Sequence, residues 1–374
     1  MIEPLLVLYH RLLNDIELIQ MKQINPNAPV MVTGASGYLG SWIIHSLLSD
    51  GYTVHATVRD PNKAASVAHL QAMAAQLPGT LQLFKADLLD EGSFDAAMQG
   101  CEVVMHTASP FLVTGYTDPE AALVRPALEG TRNVLAAVER TASVQRVVLT
   151  SSVAAIYGDA KDVEQAPNGV FDASMWNTSS SLSHQPYPYS KTVAEREAWQ
   201  WVEKQQRWDL VTINPALIMG PALTKNSQSA SIEILQEFGN GTMRMGAPKL
   251  WTGLVDVRDV AVAHVRAAFT PEAKGRYILC DRTLSLLEMG QALRQRLGNS
   301  YPFPRTPVPT FAFWLVAPFY GYTRDFVSLN MGYHMAFDHS RSQQDLKISY
   351  RDVRDSLAEH FKQLIDDGVL PNRL

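Results

Sequence analysis

From Val30 onward the chain alternates short apolar runs with stripes at helical spacing. Residues 30–33 form an apolar run that ends in Thr-Gly-Ala-Ser-Gly-Tyr-Leu-Gly, after which Ile43, Ile44, Leu47 and Leu48 recur as one helical face and stop at Gly51. Further strands are predicted over 53–58, 81–85, 103–106, 146–150 and 210–213, with helices between them, for instance over 128–140. Apolar strands joined by helices at this rhythm imply right-handed crossovers and a parallel sheet covered on both faces. The pattern therefore predicts an α/β fold built on a doubly wound parallel sheet.

After about Pro215 the rhythm breaks. Residues 221–250 are polar and Gly-rich, and four prolines fall within 299–310. Ser285 followed by Glu288 predicts a capping box for a helix running through Leu293. Val353, Leu357, Phe361, Leu364 and Ile365 predict a closing helix stopped at Gly368. This organisation predicts a nucleotide-binding domain over 25–215. A smaller, irregular substrate lobe follows over 216–374, with segments near 250–280 returning to the first domain.

Residues 1–24 stand apart. Ile2, Leu5, Leu6, Tyr9, Leu12, Leu13 and Ile16 follow helical spacing, but Glu3, Arg11, Asp15 and Glu17 interrupt the run, so it predicts no membrane span. It also lacks the basic start and cleavage site of a signal peptide. The segment reads either as a docking helix or as translated sequence upstream of a start at Met21, nine residues before the first strand.

Composition narrows the partners. Among 374 residues, 46% are hydrophobic and 18% charged, with a formal net charge of -5 and no basic block. That argues against nucleic acid or an anionic membrane as the main partner. The two cysteines, Cys101 and Cys280, lack metal-site spacing, so no metal is expected, and Cys101 reads as a small core residue. A cytoplasmic location and a monomer or homodimer are the expectations.

Chemistry enters at the strand ends. Gly34, Gly37 and Gly40, with Ser36, Tyr38 and Leu39, sit between a strand and a helix, where glycine permits a tight turn and the helix offers amides to a pyrophosphate. This makes the sheet Rossmann-type. At the end of the second strand, where NAD-specific folds place an acid, Val58 is followed by Arg59, with Asp60 next and Lys63 close by. A guanidinium suits a 2′-phosphate, which favours NADP(H) as cofactor.

Polar or small residues follow the other strands at equivalent positions: Asp87 and Leu88, then Thr107, Ala108 and Ser109, then Ser151 and Ser152, then Pro215 with Ile218 beyond. In an open parallel sheet these ends form the ligand crevice. Tyr187 and Lys191, four apart, share a helix face. A nearby cation is expected to lower the phenol pKa, so that Tyr187 gives its proton to a carbonyl oxygen while Ser152 donates a second hydrogen bond. Tyr189 competes for the role but lies off the shared face.

Together these residues resemble the extended short-chain dehydrogenase/reductases, in the branch of dihydroflavonol reductases, cinnamoyl-CoA reductases and yeast methylglyoxal-type carbonyl reductases. The resemblance rests on TGASGYLG from Thr33, ATVRDPNK from Ala56, HTASPF from His106, VVLTSS ending at Ser152, YPYSKTVAE from Tyr187 and NPALIMGP from Asn214. It implies Ser152, Tyr187 and Lys191 as catalytic residues, Arg59 on the NADP phosphate, Lys191 on the nicotinamide ribose, and the loop at Pro215 on the nicotinamide. Epimerase relatives use a residue one place further on, which here is Val153, and their added acid pair or Thr is absent. The N-terminal extension and residues 299–345 do not match the plant enzymes.

The function expected is NADPH-dependent reduction of an aldehyde or ketone on a small apolar or aromatic body. The alternatives are a hydroxysteroid-type dehydrogenase or sugar-nucleotide enzyme of the same architecture, and a non-catalytic NADP-sensing binding protein. Phe111, Tyr116, Trp176, Met219 and Trp251 are candidate substrate contacts, and plain core packing would account for each of them equally. His184 reads as a surface residue or a substrate contact.

Overall fold

The structure, a computed structural model, describes residues 24–109, 118–225, 227 and 229–374. The N-terminal stretch and the candidate contacts Phe111 and Tyr116 lie outside the described residues.

Six strands follow the sequence pattern closely: β1 (Val30–Val32), β2 (Thr53–Val58), β3 (Thr80–Lys85), β4 (Val103–His106), β5 (Arg146–Thr150) and β6 (Asp209–Pro215). Between them run α1 (Tyr38–Ser49), α2 (Ala64–Gln76), the short α3 (Asp95–Met98), α4 (Arg125–Arg140) and α5 (Pro186–Val202). Beyond β6 come β7 (Leu217–Met219), α6 (Ala230–Asn240), β8 (Ala247–Pro248), β9 (Trp251–Asp256), α7 (Val257–Phe269), β10 (Gly275–Leu279), β11 (Arg282–Ser285) and α8 (Leu286–Leu297). The chain ends with β12 (Pro307–Val308), α9 (Thr310–Val316), α10 (Arg324–Asn330), α11 (Ser340–Gln344) and α12 (Val353–Asp366).

The main sheet has seven strands in the order β10-β6-β5-β4-β1-β2-β3, every neighbouring pair parallel. This is the doubly wound, Rossmann-type sheet that the pattern predicts. Its two faces bury separate cores. One holds Val32, Ile43, Leu47, Val54, Val148 and Tyr277, and the other holds Met31, Phe94, Val104, Leu135, Val147 and Trp208. The central strands β1 and β4, covered on both sides, need no polar alternation and read as continuous apolar runs, whereas the edge strand β3 is only partly covered.

Two small sheets escape the pattern, as does β10, the seventh strand of the main sheet. A three-stranded sheet, β11-β9-β7, has an antiparallel and a parallel pair, and β8 pairs with β12 over two residues. These strands are short and lie where the strand–helix rhythm has stopped, so no period distinguishes them. The capping box at Ser285 and Glu288 is present, and its helix, α8, runs on to Leu297.

Candidate functional site

The chain winds from β1 out to β3, then returns to β4 and proceeds the other way to β6. The sheet therefore reverses between β1 and β4, and the carboxyl ends of those two strands open a crevice there. Gly34, just past β1, has φ 66°, and a Cβ at that position would stand 2.9 Å from the Ala108 Cα. A Cβ on Gly40 would stand 2.2 Å from the Gly34 carbonyl oxygen. The first glycine sets the turn and the second lets α1 close onto it.

Buried Thr33 ties the two loops together. Its hydroxyl accepts from the Thr107 and Ala108 amides at 3.0 and 2.9 Å, while the Thr107 hydroxyl donates to the Thr33 carbonyl at 2.6 Å. Gly37 caps α1 with no side chain, which leaves first-turn amides and the positive dipole end for an anion. A glycine cradle that a methyl group would fill, beside an uncapped helix start, fits a dinucleotide pyrophosphate. Ser36 and Leu39 belong to the same loop and first turn, and Leu39 packs on the core below. Across the loop, the Tyr38 hydroxyl donates to the Gly220 carbonyl at 2.5 Å and Trp42 Nε1 donates to that of Pro221 at 2.7 Å, so both rings strap the segment after β7 to α1.

At the end of β2, Arg59 and Lys63 are exposed. The neighbouring acid is occupied, since Asp60 Oδ1 accepts the Asn62 amide at 2.9 Å in a local turn. Past β3, Asp87 Oδ1 accepts the Leu89 amide. The Leu88 carbonyl accepts from Asn133 Nδ2 at 2.8 Å, and its side chain packs where a Cβ on Gly130 would stand.

Helix α5 starts at Pro186, directly after Gln185 in a left-handed conformation of φ 56°. Pro186 and Pro188 are tolerated because first-turn amides need no helical partner. Tyr187 thus falls in the first turn and Lys191 one turn later. Lys191 Nζ lies 5.6 Å from the Tyr187 ring centroid and donates to Ser109 Oγ at 2.8 Å, which joins α5 to the loop after β4.

Burial pulls the Lys191 ammonium down to about 8 and pushes the Tyr187 phenol up to about 12. The expected lowering of the phenol is therefore not what the structure has. Desolvation by burial decides, and Tyr187 is held as the neutral phenol. Beneath them His106 is pushed to about 3, first by burial and then by the Lys191 charge.

Ser152 follows β5 as the cap of a short 3₁₀ turn, Val153–Ala155, and its Oγ accepts the Ala154 amide at 3.1 Å. Its carbonyl accepts from Asn214 Nδ2 at 3.1 Å, and the Thr192 hydroxyl on α5 reaches the Ala154 carbonyl at 3.5 Å. A cavity of about 20 Å³ lies behind, lined by His106, Ser109, Ser151, Lys191 and Glu195 among others. That is room for one water. Pro215 closes β6 opposite Leu279 of β10, and Ile218 on β7 packs against the sheet's core.

Two of the expected contacts, Met219 and Trp176, are placed elsewhere. Met219 is fully buried in the core of the C-terminal part with Leu235, Phe238 and Leu254, so it packs there and does not face the crevice. The Trp176 ring lies against the guanidinium groups of Arg276 (3.9 Å) and Arg196 (4.6 Å), in a separate groove with Trp199 and Arg341. Trp251 meets His334 edge-on at 6.1 Å. His184 is no plain surface residue, because its Nε2 lies 2.6 Å from the buried Asp159 carboxylate, which also receives Asn330 Nδ2 at 2.7 Å. Sequence reasoning missed Glu195, buried one turn beyond Lys191. Its spacing on the helix was the available signal.

Similarity to known proteins agrees with this geometry. The model of the NAD dependent epimerase/dehydratase family matches residues 30–280. A cinnamoyl-CoA reductase of Medicago truncatula is 44% identical over 281 residues, spanning 74% of this chain and 82% of that protein. A tetraketide alpha-pyrone reductase of Arabidopsis thaliana is 36% identical, spanning 91% of this chain and 96% of its own. Among solved structures, a yeast methylglyoxal/isovaleraldehyde reductase complexed with NADPH superposes with a TM-score of 0.75 at 26% identity, covering 91% of this chain and 99% of that one.

Proposed function

The chain belongs to the NAD dependent epimerase/dehydratase family, and from that premise we propose that it is an NADP(H)-dependent reductase of a small aldehyde or ketone with an apolar or aromatic body. Residues 25–215 hold the dinucleotide and 216–374 supply most of the substrate lobe. Reduced nicotinamide supplies the hydride when bound. The chain's own groups do the rest.

Gly34, Gly37 and Gly40 admit the pyrophosphate, with Thr107 and Ala108 on the facing loop, and Arg59 and Lys63 take the 2′-phosphate. Asp87 and Leu88 flank the adenine side, and Pro215 and Ile218 flank the nicotinamide side. Tyr187, neutral at pH 7, donates its proton to the carbonyl oxygen as charge develops there, and Ser152 donates a second hydrogen bond to the same atom. Lys191 holds the ribose and keeps a cation beside the phenolate that forms.

The observation that carries this reading is the meeting of Lys191 with Ser109 and the Tyr187 ring at the end of the switch-point strand β4. The test follows NADPH absorbance with a panel of aromatic and aliphatic carbonyls. On any active substrate, Tyr187→Phe is expected to lower kcat by roughly 10²–10⁴-fold while NADPH still binds. A Tyr187→Phe protein at wild-type rate removes the mechanism.

A further inference from the structure

We propose that Glu195, paired with Arg276, is a positioning residue that sets the place of Ser152 relative to Tyr187 and Lys191, an inference that rests on the catalytic reading above. Glu195 is 1% exposed and Arg276 6%. Taking an ion pair out of water is a poor way to gain stability, since its desolvation cancels much of the attraction, so a buried pair at this place invites another explanation.

The partners supply one. Glu195 sits on α5, one turn past Lys191. One carboxylate oxygen accepts from Ser151 Oγ and from Asn214 Nδ2 (2.8 Å). The other accepts from Arg276 Nε (2.6 Å), Thr212 Oγ1 (3.3 Å) and Trp199 Nε1 (3.3 Å). A single carboxylate therefore joins the helix carrying Tyr187 and Lys191 to the ends of β5 and β6 and to β10.

Arg276 completes the clamp. Its fork donates to the Ala155 carbonyl at 3.2 Å, at the end of the turn that Ser152 caps, and to the carbonyls of Ala173 and Met175. Ser152 is thus held on three sides. Ser151 before it is bound by Glu195, its own carbonyl by Asn214, and Ala155 after it by Arg276. Glu195 touches none of the proposed reacting atoms, so its effect on turnover passes through the residues it fixes. Shifts of about 1 Å at such a distance are enough to cost roughly 10²-fold in rate.

The test compares wild type, Tyr187→Phe, Glu195→Gln and Ser151→Ala, with Glu197→Gln as a control on the same helix at its exposed pair with Arg132. NADPH titration counts binding sites, and kcat is expressed per site, so that any unfolded fraction divides out. Glu195→Gln is expected to lose about 30-fold or more in kcat and Ser151→Ala roughly 5- to 10-fold, with NADPH affinity within about threefold of wild type and the control unchanged. Ser151→Ala keeps the ion pair intact, so it carries the test if Glu195→Gln fails to fold. Full kcat per site in Ser151→Ala, beside an inactive Tyr187→Phe, overturns the positioning role and leaves the catalytic reading standing. Full kcat in Tyr187→Phe removes the catalytic reading first, and this inference with it.

Discussion

At the scale of single residues, the proposed preference for NADPH rests on Arg59 and Asp60, adjacent at the end of β2. Asp60 spends an oxygen on the Asn62 amide, whereas Arg59 is exposed. A guanidinium left for the 2′-phosphate and an acid drawn into its own turn favour NADPH. Arg59→Ser is therefore expected to lower kcat/KM for NADPH by roughly 10- to 100-fold, the worth of one charge-assisted phosphate contact, and to leave NADH little changed. Initial rates with both nucleotides decide it, and an unaltered ratio excludes Arg59 from the site. Residue chemistry at strand ends was legible in the sequence because a turn or crevice needs particular side chains there. The substrate contacts were not. Met219 and Trp176 are large and apolar wherever they fall, and only the tertiary structure separates a wall of the crevice from the lobe's own core or from a guanidinium stack.

At the scale of elements, α1 and its glycine loop behave as one part. Gly40 sits inside the helix, where glycine ordinarily weakens structure, yet no larger residue clears the Gly34 carbonyl. Gly40→Ala must push backbone against backbone, at a cost of roughly 1–3 kcal/mol, and it deforms the anion cradle as it does so. The expected result is a lower Tm together with loss of the upward Tm shift that NADPH gives wild type. A variant that keeps the full NADPH shift shows that the cradle tolerates the methyl. The long helices were readable from their apolar stripes, and the central parallel strands from their unbroken apolar runs. The start of α5 at Pro186 was not marked by a local signal. Its first turn holds two prolines after a left-handed Gln185, and that backbone conformation is fixed by the packed loop and not by local propensity.

At the scale of the whole molecule, three histidines are held neutral inside the fold. Burial drives His106 to about 3 and His264 and His360 to about 4, against about 6.5 for an unfolded imidazole. His264 lies 2.7 Å from the Thr150 hydroxyl at the end of β5, and His360 stacks on Tyr38. Below pH 6.5 the unfolded chain takes up protons that the native fold refuses. Stability is therefore complete above 6.5 and falls as pH drops toward 4, by on the order of 2–3 kcal/mol per imidazole between 6.5 and 4.5. Carboxylates with lowered pKa contribute little in that window. Urea midpoints at pH 7.5 and 4.5 are expected to differ markedly, and His264→Gln to narrow the gap. Equal midpoints refute the linkage.

The outermost strand of the main sheet, β10, joins from residues 275–279, some sixty positions after β6. A ribosome that has released the chain only through β6 leaves Val211 and Ile213 on a bare strand edge, open to any passing chain. Completion of the sheet must wait for the stretch that also brings Arg276. Any separation of the two halves, by truncation or by a protease cut between them, would strip the sheet of its border. A fusion or split version of this protein is best divided beyond β10, not at the apparent boundary near Pro215.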